Sequence, residues 1–346
     1  MKLMKNILFV MAISLSVLSC VQEEYDFDKV NLEMTVAPGI SVPVDKTLDD
    51  VKTADLLDMG GCTTDTDGAY VSAGESVSHD IEVSSEDTAS GTVRSDVRIS
   101  VPVDVPDFLR KSTTEFRFHN PQICFTVTNP MPYAVTMNAK AVSAAGSFDF
   151  SVELPASAKD WNVSVSGEKV ASILYPVPDC VTIEDISFTG AATKSQTADA
   201  GQAVYKIMAS SRIRMEFEAG SEISFDSTLD LEEMGADLGK VEVSVNEFEI
   251  ESSITSTFPL DLSASARSED GSTSLKTENT VLSNATTEVK FLAKTDGKLS
   301  DIKSIVVSIN AVNSTDSPVA LTEGCTLSID IDRLKATSGI TYNPGK

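Results

Sequence analysis

Apolar and polar residues alternate with a period of two through most of the chain beyond residue 92. Val97, Ile99, Val101, Val103 and Val105 fall on one face of residues 93–105, and a Pro106-Asp107 turn follows. Phe116 and Phe118 then alternate, as do Ile123, Phe125 and Val127, and after them Val135, Met137 and Ala139. Period two puts successive side chains on opposite faces of a strand, and sustained this long it predicts antiparallel sheet with one wet face. Residues 29–46 alternate as well, with Val30, Leu32, Met34 and Val36 before Pro38-Gly39 and Ile40, Val42 and Val44 after it, the pattern of a hairpin. Residues 47–92 show little pattern and much Asp, Thr, Ser and Gly, and read as a long loop with one short helix around residues 53–59.

The chain also repeats itself. Residues 123–140 align without gaps on residues 250–267, so that Ile123 meets Ile250, Val127 meets Ile254, Pro132 meets Pro259, Val135 meets Leu262 and Lys140 meets Arg267. Upstream, Phe116 and Phe118 meet Val243 and Val245, and the copies end alike, in residues 212–217 and 326–331. A doubled supersecondary pattern predicts two tandem antiparallel β-sandwich (Ig-like) domains, all-β in class, over residues 93–220 and 221–346 with a boundary near Gly220. Residues 29–92 are expected to pack on the first domain as the hairpin and variable loop. Two unrelated sandwiches sharing a strand-Pro-strand rhythm are the alternative.

Within the first copy, Asn120-Pro121-Gln122-Ile123 precedes Thr128-Asn129-Pro130-Met131-Pro132. This spacing resembles the β-sandwich of late-embryogenesis-abundant, water-stress-response proteins and covers residues 93–150; in the second copy only Pro259 remains of the prolines. Pro130 and Pro132 lack N–H donors and so mark a strand end or a sheet edge.

The start of the chain follows a different grammar. Lys2 and Lys5 precede the apolar run of residues 7–18, and Val17-Leu18-Ser19-Cys20 closes it. The run is shorter than the ~20 apolar residues needed to cross a bilayer and fits a cleaved secretory signal. It resembles the bacterial lipobox, which implies removal of residues 1–19 and lipidation of Cys20. At about 0.8 kcal/mol per buried methylene, two or more acyl chains make a stable anchor. The next residues, 21–28, hold Glu23, Glu24, Asp26 and Asp28. A solvated acidic stem is one reading; the other is a resemblance to the surface-export signal of Bacteroidetes-type lipoproteins, which implies display outside the outer membrane through Glu23, Glu24 and Asp26.

Composition narrows the partners. The net charge is −25, and loss of residues 1–19 removes two lysines and no acids, leaving 25 basic and 52 acidic residues. A surface this negative repels phosphate backbones and excludes nucleic acid. Besides Cys20 there are Cys62, Cys124, Cys180 and Cys325 without close spacing, and Cys124 and Cys325 lie among alternating apolar residues like buried strand positions. An oxidising compartment permits disulfides, but inert thiols are equally consistent.

Candidate chemistry is sparse. His79 and His119, the two histidines, read as a loop residue and a strand end, and no HExxH, HxxxH or GxSxG stands beside either. Trp161 is the one tryptophan among the 21 aromatic residues and follows Lys159-Asp160; it is either a sandwich-core residue or an exposed platform for a sugar ring. Asp65-Thr66-Asp67-Gly68 matches part of a calcium loop, but Thr63 and Gly74 stand where its first and last acids belong, so an Asp-Gly turn is expected. Asp87-Thr88-Ala89 and Asp226-Ser227-Thr228 resemble the O-glycosylation pattern of Bacteroidetes-type exported proteins, which implies modification at Thr88 and Ser227.

These readings predict a non-enzymatic, lipid-anchored outer-membrane protein facing the cell exterior, with a binding, adhesion or structural role, no cofactor and no metal. Its partners are the membrane and a glycan or surface protein of unassigned identity. An accessory glycan-binding lipoprotein, similar in layout to the tethered sandwiches of starch-utilisation systems, and a surface-fibre subunit are the alternatives.

Overall fold

The computed structural model describes residues 34–36, 41–47, 51–190, 202–230, 241–245, 247–268, 271, 273–295, 304–336 and 340–344. In chain order its strands are β1 (Met34–Val36), β2 (Ser41–Thr47), β3 (Val51–Lys52), β4 (Thr63–Thr64), β5 (Tyr70–Ala73), β6 (Val77–Ser84), β7 (Thr92–Arg94) and β8 (Ile99–Pro102). They continue as β9 (Gln122–Thr128), β10 (Val135–Ser143), β11 (Gly146–Leu154), β12 (Trp161–Ser166), β13 (Cys180–Gly190), β14 (Gln202–Arg214), β15 (Glu216–Phe217), β16 (Glu222–Asp230) and β17 (Val241–Val245). The last are β18 (Glu247–Ser256), β19 (Asp261–Ser268), β20 (Thr273–Thr277), β21 (Thr286–Thr295), β22 (Ser304–Val312), β23 (Val319–Ala320), β24 (Thr326–Ala336) and β25 (Ile340–Pro344). Short helices α1 (Thr53–Leu56), α2 (Ser85–Ser90), α3 (Asp107–Arg110) and α4 (Glu168–Ser172) lie between them.

The fold is all-β, and its pairings are antiparallel. In the first sandwich a sheet ordered β12-β9-β14-β5-β4, with β6 also on β14, faces a sheet ordered β11-β10-β13-β7, with β8 also on β13. Alternation supplies the core: Ile123, Phe125, Val127, Ile207 and Ala209 point inward from one sheet, Val135, Met137, Ile183 and Phe188 from the other, and all are buried. Phe188 stacks on Tyr205 across the gap at 4.0 Å between centroids, and Phe125 on Phe150 at 5.4 Å. Truncating such a buried phenylalanine to alanine costs about 3–5 kcal/mol.

The second sandwich is one sheet ordered β16-β22-β19-β20-β21-β18-β24-β2, with β3 also on β24, folded over through β20. Ile250, Ile254, Val289, Phe291, Val307, Ile309, Leu327, Ile329 and Ile331 are buried within it. Its edge strand comes from the far end of the chain. β2 pairs β24 from Ser41↔Lys335 to Thr47↔Asp330, β3 pairs β24, and β1 pairs β25. Strands β1 and β2 therefore do not form the expected hairpin, nor do they pack on the first sandwich. Alternation identifies a strand but not its partner, and the partners here lie 283–308 residues away. The first sandwich is thus inserted between β3 and β16 of the second.

Three further expectations change. Residues 47–92 are not a loop: β5 and β6 both pair β14, burying Tyr70, Val71, Ile81 and Val83, with His79-Asp80 masking the alternation. Residues 93–105 keep one buried face but break into β7 and β8. Opposite the break, β13 bulges at Asp185, whose φ of +52° interrupts the register between Asn138 and Lys140. Phe116 and Phe118 belong to no strand; they lie between the sandwiches, where Phe118 bridges Phe217.

The repeat is visible in topology and in atoms. β9 lies between β12 and β14 as β18 lies between β21 and β24, and β10 between β11 and β13 as β19 between β20 and β22. Asn129 accepts the Met131 N–H at 3.0 Å; in the second sandwich, Ser256 accepts the Phe258 N–H at 3.1 Å, 127 positions later in each case. The likeness stops at the edges. β17 pairs β25, away from anything resembling residues 116–118, and residues 326–331 begin β24 whereas residues 212–217 end β14 and form β15.

Candidate functional site

Two features stand out: a cleft where the sandwiches meet and an open edge on the first sandwich. The cleft has a volume of about 870 Å³ and is lined by Glu115–Phe118, Tyr175, Glu168 and Glu218–Glu222. It forms because residues 113–119 run beside residues 216–224. Thr113 N–H donates to Ser224 O at 2.9 Å, Glu222 N–H to Glu115 O at 3.0 Å, Glu218 N–H to Arg117 O at 2.9 Å, and His119 N–H to Glu216 O at 2.7 Å.

Aromatic rings floor the cleft. Phe116 meets Phe118 edge-on at 5.3 Å, Tyr175 at 5.4 Å and Phe217 at 6.0 Å, and the Tyr175 hydroxyl donates to Thr114 O at 3.0 Å. Beneath them, the fully buried Asn313 donates through Nδ2 to the carbonyls of Phe217, Glu218 and Ser317, and its Oδ1 accepts from Thr315. The rim is acidic. Glu115 is held by Arg117 at 2.9 Å and Glu218 by His119 Nδ1 at 2.8 Å, while Glu168 and Glu222 add further carboxylates. Such a rim favours cations over anions.

A second clamp lies beside the junction. Arg214 reaches Glu216 Oε2 at 2.8 Å and Asp65 Oδ2 at 2.9 Å. Partial burial works to raise the Asp65 pKa, but the N–H groups of Ala69 and Asp67, together with Arg214, outweigh it and hold the carboxyl below its ordinary value. Both carboxylate oxygens are thus used within the chain. Residues 65–68 form a turn, with Gly68 N–H donating to Asp65 O at 3.0 Å and Gly68 at φ +75°. Among the described residues no group of three or more acids, histidines or cysteines is placed to hold a metal.

The open edge is made by β11 and β12, each the last strand of its sheet. Trp161 opens β12 opposite Val127 on the inward face, yet it is 44% exposed, and among the described residues no strand pairs with β12 on its far side. That placement overturns the core reading of Trp161. Phe148, Phe150, Val163 and Val165 are only partly buried along the same edge. In the second sandwich the corresponding strands pair with each other, from Thr273↔Thr295 to Thr277↔Phe291, and bury Leu275, Val289 and Phe291.

The remaining predicted residues are scattered. Thr88 is fully buried in α2 and donates its hydroxyl to Ser84 O at 2.9 Å, so the folded chain does not present it for glycosylation. Ser227 lies within β16, in register with Val307. Cys20, Glu23, Glu24 and Asp26 lie outside the described residues. His79 is in β6 and not in a loop, opposite Ile207, on a different element from His119. Cys62, Cys124, Cys180 and Cys325 are free thiols. Cys124 is half-buried on the outward side of β9, not in the core, and burial, reinforced by Asp104, pushes the Cys62 thiol up to about 11. Neither the cleft nor the open edge was singled out from the sequence. The signal for the edge was present in the uncharged run of residues 161–166, but its partner strand had to be missing before the run meant anything.

No family model matches the chain, and no curated protein matches its sequence. The fold is similar to that of a candidate secreted protein from Parabacteroides distasonis, with a TM-score of 0.51, 15% identity, and coverage of 86% of this chain and 99% of that one. Structures of broad bean stain virus (12% identity, 75% and 93% coverage) and of the cowpea mosaic virus top component (9%, 78% and 92%) overlap it at a TM-score of only 0.19, too slight to bear on fold or function. The bacterial likeness extends over nearly all of that protein and concerns the fold alone.

Proposed function

We propose that the mature chain is a lipid-anchored, non-enzymatic protein of the outer membrane, displayed on the cell exterior, with a binding, adhesion or structural role. The observation that carries this reading is the placement of the first strands in the second sandwich. If Cys20 holds the lipid, the tether to Met34 is 14 residues long and spans at most about 50 Å at about 3.3–3.6 Å per residue. It meets β1, in the three-stranded sheet β1-β25-β17, and then β2 at the edge of the second sandwich. The inserted first sandwich, fastened at both of its ends, then stands away from the bilayer and presents its open edge.

Fractionation and surface labelling of the native host test this. Cys20→Ser is expected to move the protein from the membrane to the soluble fraction, and replacing Glu23, Glu24 and Asp26 with alanine to abolish protease access on whole cells. A Cys20→Ser chain that stays in the membrane would refute the anchor; unchanged protease access would refute the export signal.

The half-exposed Trp161 favours one second reading, an accessory glycan-binding lipoprotein, since a sugar ring stacks on just such a partly free aromatic face. A glycan-array screen of residues 21–346 beside its Trp161→Ala variant tests it: binding lost with the ring supports it, and no binding by either chain rejects it.

A further inference from the structure

We propose that β12 is a self-association edge, through which two copies of the chain pair antiparallel and continue one sheet across a two-fold axis. This goes beyond the surface role above and holds whether or not Cys20 carries lipid.

Sheet-terminal strands expose unpaired N–H and C=O groups, and proteins guard them with charge, proline or bulges. Among the described strands of five or more residues that end a sheet or pair on one side only, the sequence supplies such guards nearly everywhere. β2 has Pro43, Asp45 and Lys46; β6 has Asp80 and Glu82; β11 has Asp149 and Glu153; β16 has Glu222 and Asp226; β17 has Glu242. β12, Trp161-Asn162-Val163-Ser164-Val165-Ser166, has neither charge nor proline. In a chain of net charge −25, so neutral an edge is where two copies can approach without opposing carboxylates.

The apolar side chains agree. Trp161, Val163 and Val165 share the inward face, and Phe148 and Phe150 of β11 lie partly exposed behind them. The second sandwich, built on the same topology, seals this edge by pairing β20 with β21. The first leaves it open.

Parity and the length of β12 then select a register. Residues opposite each other in a continuous sheet must face the same side, so the two-fold axis passes through a residue position. Centred on Val163, it sets Trp161 opposite Val165 of the other copy, Asn162 opposite Ser164, Asp160 opposite Ser166 and Lys159 opposite Gly167. Centred on Ser164, it would set Trp161 opposite Gly167, beyond the end of β12, and take the ring out of the seam. The Val163-centred register follows. A single six-residue edge is a small interface, so association in the micromolar range is expected rather than an obligate dimer.

Sedimentation velocity of residues 21–346 over a concentration series tests the proposal. The wild type is expected to pass reversibly from monomer to dimer, with native Trp161 fluorescence becoming less quenchable by acrylamide as the dimer fills. Trp161→Lys should weaken association at least tenfold, and Asn162→Lys, at an exposed position on the opposite face, serves if the first variant does not fold. Under oxidising conditions Val163→Cys should give a covalent dimer that the wild type does not form, and Asn162→Cys should crosslink poorly. A wild-type chain monomeric throughout the series would overturn the proposal, as would a dimer indifferent to both lysines or one crosslinked better through Asn162→Cys. A monomer whose Trp161 emission responds to soluble glycan would assign the edge to sugar instead.

Discussion

The hydroxyl of Thr53 donates to the carbonyl of Thr322 at 2.7 Å, 269 positions further along the chain. Its backbone N–H donates to Cys325 O at 3.1 Å, and the side chain is fully buried. These bonds lock the point where the chain leaves the second sandwich to build the first. Thr53→Val keeps the shape but leaves a buried carbonyl without its donor, and should cost about 1–3 kcal/mol. For a chain of this size that lowers the melting temperature by roughly 2–4 °C per kcal/mol, measurable by calorimetry. An unchanged melting temperature would mean that the junction is not held there.

Asn313 should matter more. The two N–H groups of its amide are shared among three carbonyls, and its oxygen accepts from Thr315. Asn313→Ala strands several of these groups, and the expected loss is about 3 kcal/mol, toward the upper end for buried polar groups left unpaired. Asn129→Ala in the first sandwich removes two N–H groups shared among the carbonyls of Tyr133, Leu154 and Pro155 and the acceptor for Met131 N–H, and should cost a similar amount. Ser256→Ala removes only the N–H acceptor for Phe258 and should cost about 1 kcal/mol. Chemical denaturation ranks the three; a Ser256 effect as large as the Asn129 effect would contradict the ranking by bonds lost.

The Asp65–Arg214 clamp has a defined pH dependence. The folded-state pKa of Asp65 is lowered, so its carboxylate contributes stability above the unfolded value near 3.9 and loses it as pH falls through the folded value. Asp65→Asn should therefore melt below the wild type at pH 7, and the gap should close in strong acid. A gap that widened on acidification would reverse the sign of the linkage.

Much of the fold was legible because burial in a sheet leaves a period-two trace. The face shared by Ile99, Val101, Val103 and Val105, the strands around Phe125 and Met137, and the spacing of the repeat could all be read in residue order. Pairing over long distances could not. Nothing local in residues 41–47 names Thr326–Ala336 as the partner, and the polar positions of β6 concealed a strand whose inward residues are Ile81 and Val83. The site was harder still. The cleft depends on Phe116, Phe118, Tyr175 and Phe217 converging from distant segments, and the exposure of Trp161 depends on β12 ending its sheet among the described strands. Thr88 fitted a three-residue pattern, but its burial within α2 was invisible in that pattern.

Hydrogen exchange of residues 21–346, with and without residues 21–52, tests the interleaved architecture most directly. If β2 and β3 complete the second sandwich, deletion should strip protection from β24, across Thr326–Ala336, while β9, across Gln122–Thr128, stays protected. Protection of β24 unchanged by the deletion, or lost first from β9, would contradict the account.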